Sequence, residues 1–239
     1  MNRFSDIVGS ESINHKTMFG FFKKKRKETK EPEAPKKEEG NFKYKWYEIG
    51  EENPFNKRIL DIRSFTQTMI STSSQQDVAE KYSALRRSLG KEYRGTSIPH
   101  SKSVSANLKY PHDGAAVEGI VFKADAMEVK WDIYVYDDVF YFTRSWTGNL
   151  GYKVTARIHA DSIELLTVEC SSEEDDLIVI NNVHFLIMAH VFGKVYPHMI
   201  PKELESENDI ALYSFSMFGK KACYATYEPI TDTVITLKK

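Results

Sequence analysis

The sequence predicts an α+β fold. It reads as a single domain with a curved antiparallel sheet of about six to eight strands and two main helices, preceded by a disordered charged tail. Three observations carry this prediction. Hairpin patterns with tight turns recur along the chain, the helix-length spacers of parallel βαβ units are missing, and only two stretches suit a substantial helix.

The clearest hairpin is WDIYVYDDVFYFTRSW, from Trp131 to Trp146. Two runs of β-formers flank Asp137 and Asp138, and Asp tolerates the positive φ that a two-residue turn needs. That turn sets Tyr136 opposite Val139, Tyr134 opposite Tyr141 and Asp132 opposite Thr143. On the other face it pairs Val135 with Phe140, Ile133 with Phe142 and Trp131 with Arg144. The second face suits a core with Arg144 at its edge. The first, carrying Asp132, Tyr134, Tyr136 and Tyr141, is the expected partner-binding surface. A slip of one residue would exchange the two roles.

Ahead of the hairpin, Ile59–Ile62 reads as a short strand and Ser64–Ser71 as a short helix. The strongest helix is Gln75–Leu89, with Ser74 as cap, an apolar stripe of Val78, Tyr82, Leu85 and Leu89, and Gly90 as stop. Arg86, Arg87 and Lys91 suit the negative end of its dipole. Strands are expected at Val104–Tyr110 and Gly119–Ala124. Beyond the hairpin, Tyr152–Ile158 and Ile163–Cys170 form a second one. The apolar stretch Asp176–Phe192 is ambiguous between strand and helix; its length favours a buried helix ending at Gly193. Ile210–Phe218 and Lys221–Tyr227 read as a last hairpin around Gly219-Lys220.

Charge divides the chain of 239 residues, whose net charge is −1, into two parts. Residues 1–45 carry 12 Lys/Arg against 7 Asp/Glu, and residues 46–239 carry 21 against 27. The stretch 23–40 holds too little apolar surface to offset ordering entropy, so 1–45 is the expected tail and 46–239 the globular domain. Within the tail, Phe19, Phe21 and Phe22 precede Lys23, Lys24, Lys25, Arg26 and Lys27. A solubilising leader explains them. So does weak contact with anionic membrane, or, in a eukaryotic host, a nuclear-import signal. A cytoplasmic location follows, with peripheral attachment at the inner membrane surface as the further option. The mildly acidic domain argues against a broad nucleic-acid surface.

Chemistry-bearing motifs are scarce. GxGxxG, Walker, GxSxG, HExxH and EF-hand patterns do not occur, so no cofactor is expected. Cys170 and Cys223 sit in apolar contexts and read as reduced thiols; no Cys/His spacing suggests zinc, and no metal is expected. His184, His190 and His198 read mostly as core histidines. His198, between Pro197 and Pro201, is the best functional candidate of the three. Arg58, Arg63, Arg86, Arg87, Lys91 and Arg94, with Tyr93, form a basic bias that could meet phosphate.

Two functions fit. The first is a non-enzymatic protein-interaction or regulatory module, of the kind represented by immunity proteins, binding another protein through the tyrosine-lined face. The second is an enzyme acting on an anionic or phosphorylated substrate through Arg63, Asp132, Arg144 and His198. The texture of NPFNKRILDIRSF, WDIYVYDD and YFTRSWTG suits a bacterial domain and assigns no residue a role.

Overall fold

A computed structural model describes residues 42–73, 75–115 and 117–231. In chain order they form β1 (Lys45–Tyr47), β2 (Ile59–Asp61), the one-turn helix α1 (Arg63–Thr66) and α2 (Gln76–Arg87). A 3-10 turn (Lys91–Tyr93) leads to β3 (Ser101–Pro111), β4 (Gly119–Phe122), β5 (Trp131–Tyr136) and β6 (Val139–Arg144). Then come β7 (Leu150–Ile158), β8 (Ser162–Ser171) and α3 (Asp176–Leu186), which runs on into a π-helical turn (Ile187–Val191). The chain closes with β9 (Pro197–Met199), α4 (Glu207–Phe218), a 3-10 turn (Gly219–Lys221) and β10 (Tyr224–Thr226).

The main sheet is antiparallel, with order β3-β8-β7-β6-β5-β4, and among the described residues it is open at both edges. The β5–β6 register is the one the turn dictates, from Trp131 opposite Arg144 to Tyr136 opposite Val139. Asp137 and Asp138 take φ of 53° and 58°, the two positive values of a type I′ turn. One sheet face, with Val104, Ile133, Phe142, Val154 and Val168, packs beneath the buried apolar surface of α3 and α4. Asp175 caps α3, its carboxylate accepting the N–H groups of Leu177 and Ile178 at 3.0 Å each. The helix is apolar nearly all round, as a helix inside a core must be.

A second, four-stranded sheet has order β1-β2-β10-β9, with β9 and β10 parallel. Its three-residue strands are too short to leave a period-2 signal in the sequence. Phe42 and Tyr44, placed with the tail by charge, belong to this folded part. Phe42 meets Phe65 edge-on at 4.9 Å, and Tyr44 donates to Asn208 at 2.9 Å.

The expected hairpin Ile210–Phe218/Lys221–Tyr227 is instead α4 followed by β10. Ser206 caps the helix by accepting the Asp209 N–H at 3.0 Å, and Glu207 and Asp209 occupy its first turn. Ile210, Ala211, Ser214, Phe215 and Phe218 then fall on one buried helical face. Gly219 ends the helix at φ 62°, where a Cβ would lie 1.6 Å from the Glu128 carbonyl oxygen. The α2 helix also ends two residues earlier than expected. Ser88 turns to extended backbone, which takes Leu89 off the apolar stripe and leaves it 54% exposed. The expected cap Ser74 lies outside the described residues.

Candidate functional site

The tyrosine face of the hairpin is covered. Asp132, Tyr134, Tyr136 and Tyr141 are all buried, the first two at 1% and 0% exposure. The strap that follows α2 lies across them and is tied down by the phenols. Tyr136 donates to the Leu89 carbonyl at 2.7 Å, and Tyr141 accepts the Gly95 N–H at 3.1 Å. Tyr93 stacks on Tyr134 with ring centroids 5.6 Å apart. Gly90, at φ 80°, lies so close to the Tyr134 ring that a Cβ would come within 2.3 Å of it. The partner-binding role expected of these four residues is therefore corrected for this conformation: their side chains are spent on internal contacts. Alternation identified the face, but it could not show that residues 88–96 fold over it.

Asp132 anchors the cover. Its carboxylate takes a two-pronged bond from Arg86, 2.9 Å from Nη1 to Oδ1 and 2.6 Å from Nη2 to Oδ2, and accepts the Ala124 N–H at 2.8 Å. Lys123 stands 3.6 Å away and also bonds the Tyr134 hydroxyl. Burial alone would lower the Arg86 pKa, but the bond and charge of Asp132 outweigh it and raise it. Lys123 goes down, chiefly through burial, with Arg86 adding to the effect against the pull of Asp132. Burial pushes the Tyr134 phenol far up, reinforced by Asp132.

The four candidate catalytic residues are not brought together. Arg63 pairs with Asp61 at 2.6 Å and covers the Tyr224 ring at 5.0 Å, on the outside of the small sheet. Arg144 lies 4.8 Å over the Trp131 ring and donates to the Ser216 and Met217 carbonyls at the end of α4, at 2.6 and 2.8 Å. It thus clamps the hairpin to a helix C-terminus. His198, expected in a loop, lies in β9 with no exposed surface, 2.8 Å from Ser214 Oγ. Ser214 spends its proton on the Ile210 carbonyl at 2.6 Å, so His198 Nε2 is the donor to it. Burial drives the His198 pKa down to about 3, against a backbone bond at Tyr224. These surroundings define a neutral core histidine.

Four of the six residues of the basic bias have carboxylate partners. Arg58, Arg63, Arg86 and Arg94 each pair with a carboxylate, at Glu48, Asp61, Asp132 and Asp137. Among the described residues no group of three His, Cys, Asp or Glu could hold a metal, and no helix is long and apolar enough to cross a membrane. Cys170 and Cys223 are free thiols. Residues 19–27, expected to serve localisation, lie outside the described residues.

A groove lies open beside the strap. It measures about 460 Å³ and is lined by Leu89, Lys91, Arg94, Glu118, Gly119, Ile120 and Tyr136. The strap forms one wall and β4 the other, with buried Tyr136 as floor. Among the described residues β4 is a sheet edge, paired with β5 alone. Leu89 and Ile120 stand exposed on opposite walls, at 54% and 45%. Of these lining residues, Lys91 and Arg94 stood out in the sequence as basic, and Tyr136 as a tyrosine of the hairpin. Ile120 and Leu89 could not be found there, because their exposure follows from an edge position and an early helix end.

Together the fold and the groove define a class: an α+β protein with an open sheet edge beside a partly apolar cleft. In comparisons with known protein families, curated proteins and solved structures, the chain matches none.

Proposed function

We propose that the chain is a protein-interaction or regulatory module, and that its partner docks at the β4 groove instead of on the tyrosine face. One observation carries this: the outer side of β4, which pairs with no strand among the described residues, adjoins two exposed apolar residues, Leu89 and Ile120, in a single cleft. Unpaired strand N–H and C=O groups recognise extended backbone, and flanking apolar side chains provide specificity. Of the partner-binding residues expected from the sequence, Tyr136 stays part of the surface as its floor. Lys91 and Arg94 line the wall opposite Glu118, so the partner reads mixed charge. β4 is four residues long and bulged between Ile120 and Phe122, so the added strand is short and the complex weak and transient. A cytoplasmic location and contact of residues 19–27 with anionic lipid belong to the same proposal.

The test is selection from a displayed library of random linear peptides against the full-length protein. Enriched peptides should bind at micromolar strength and lose at least about tenfold with Ile120→Asp. Enriched peptides indifferent to both Ile120→Asp and Leu89→Asp would place the interaction elsewhere.

A further inference from the structure

Helix α3 stays apolar where it leaves the core. From Leu177 to Lys202 the sequence carries no Asp or Glu. The π-helical turn closes with the Phe192 N–H on the Ile187 carbonyl at 3.1 Å. Gly193, at φ 62°, then reverses the chain so that the Lys194 N–H meets the Met188 carbonyl at 2.9 Å. These bonds satisfy two carbonyls of the helix end, and the side chains that follow face outward. All five residues 191–195 are exposed, with Val191 and Phe192 at 37% and Val195 at 59%. A Cβ on Gly193 would meet nothing within 4 Å. The result is a projecting apolar tip, not a groove. The Tyr110 ring braces Phe192 from behind, with centroids 5.8 Å apart. Two lysines flank the tip. Lys194 belongs to it, and Lys221 lies 5.5 Å over the Phe122 ring, near enough to act on His190. Among the described residues neither lysine pairs with a carboxylate.

We propose that residues 191–195 insert into an anionic lipid surface, as a contact separate from residues 19–27 and from the β4 groove. Val191, Phe192 and Val195 enter the boundary between headgroups and acyl chains. Lys194 and Lys221 keep their ammonium groups at the lipid phosphates. Charge complementarity favours this occupant: an apolar tip beside uncompensated cations suits a surface that is anionic outside and apolar beneath. Area points the same way. A stable protein interface buries about 800 Å² and 20–30 residues on each partner. Five projecting residues supply a fraction of that, and a bilayer needs no matching shape. Insertion of three side chains is weak by itself, so the loop adds to another contact instead of holding the chain alone.

The test uses the full chain with Val195→Trp, which adds an indole at an exposed position, and the unsubstituted chain as blank for its three native tryptophans. The probe is vesicles of phosphatidylcholine and phosphatidylserine in about a 7:3 ratio, brominated on the acyl chains and present at millimolar lipid. The added fluorescence should shift to the blue and be quenched. Lys194→Gln should weaken the lipid affinity about fivefold, the share of one ammonium group, and Val191→Asp should abolish the quenching. The quenching should persist when Lys23, Lys24, Lys25, Arg26 and Lys27 are all replaced by Glu, which separates the loop from the tail. A chain that pellets with these vesicles while the added indole stays unquenched overturns the loop and leaves the tail contact standing. Equal quenching by phosphatidylcholine alone overturns the anionic preference. An unquenched indole on a chain that sediments as a dimer, returned to monomer by Val191→Asp, overturns lipid insertion and assigns the tip to contact between copies.

Discussion

Arg86 of α2 and Asp132 of β5 meet through two parallel N–H···O bonds of 2.9 and 2.6 Å, with the Asp132 side chain 1% exposed. No residue of α2 is fully buried, so this pair, more than apolar packing, holds the helix on the sheet. Removing one partner leaves a buried charge alone, which costs about 3–5 kcal/mol. Asp132→Asn should lower stability by that order in urea unfolding. The exposed pair of Arg94 and Asp137 is the contrast, and Arg94→Ala should leave the urea midpoint nearly unchanged. Equal losses would show that Arg86–Asp132 is not the clasp.

Gly90 and Gly95 separate backbone strain from crowding. Both have positive φ, 80° and 74°, but a Cβ at Gly90 would strike the Tyr134 ring whereas one at Gly95 meets nothing within 4 Å. Gly95→Ala should cost about 1 kcal/mol, the conformational part alone. Gly90→Ala should cost about 1–3 kcal/mol more, through overpacking. The denaturation midpoints of the two variants give the difference directly.

His190 and His198 are both held near pKa 3 by burial, with Lys221 adding to the effect at His190. An unfolded histidine titrates near 6.5. Between those values the unfolded chain binds protons that the folded chain refuses. The stability is thus complete above about pH 6.5 and falls as pH drops toward 3. Two such groups give a slope of roughly 2.4 kcal/mol per pH unit between pH 6 and 5. Unfolding measured at both pH values should show this slope, and His198→Gln should halve it. A flat profile would mean that these histidines are not desolvated.

Much of the fold could be read from local pattern. The Asp137-Asp138 turn sets six cross-strand pairs, and the length and apolar character of Asp176–Phe192 favour a helix, which the structure forms over Asp176–Leu186 before a π-helical turn. What escaped depends on contacts distant in sequence. α4 differs from the expected strand: Tyr213, Phe215 and Met217 alternate locally, while the Ser206 cap and the helical spacing of Ile210, Ser214 and Phe218 carry the stronger signal. The site was less legible. Asp132 and the tyrosines form one face as expected, but whether that face meets a partner or residues 88–96 is decided by where the strap folds. His198 looked accessible between two prolines, and became buried because β9 runs inside, beside β10.

For the tail, sedimentation with anionic liposomes distinguishes lipid contact from a solubilising leader. The full chain should pellet, and a variant with Lys23, Lys24, Lys25, Arg26 and Lys27 all replaced by Glu should stay in solution. A truncation at residue 45 is a poorer probe, since it also removes the Phe42 and Tyr44 contacts. Equal pelleting of chain and variant would remove the lipid role.

The most direct measurement of the proposed docking is amide hydrogen exchange on the full-length protein, with and without a library-selected peptide. A strand added at the sheet edge should slow exchange at Gly119–Val121 on β4 and leave Ser101–Pro111 on the opposite edge unchanged. Protection confined to β3, or none on β4 at saturating peptide, would contradict the β4 groove as the place where this protein meets its partner.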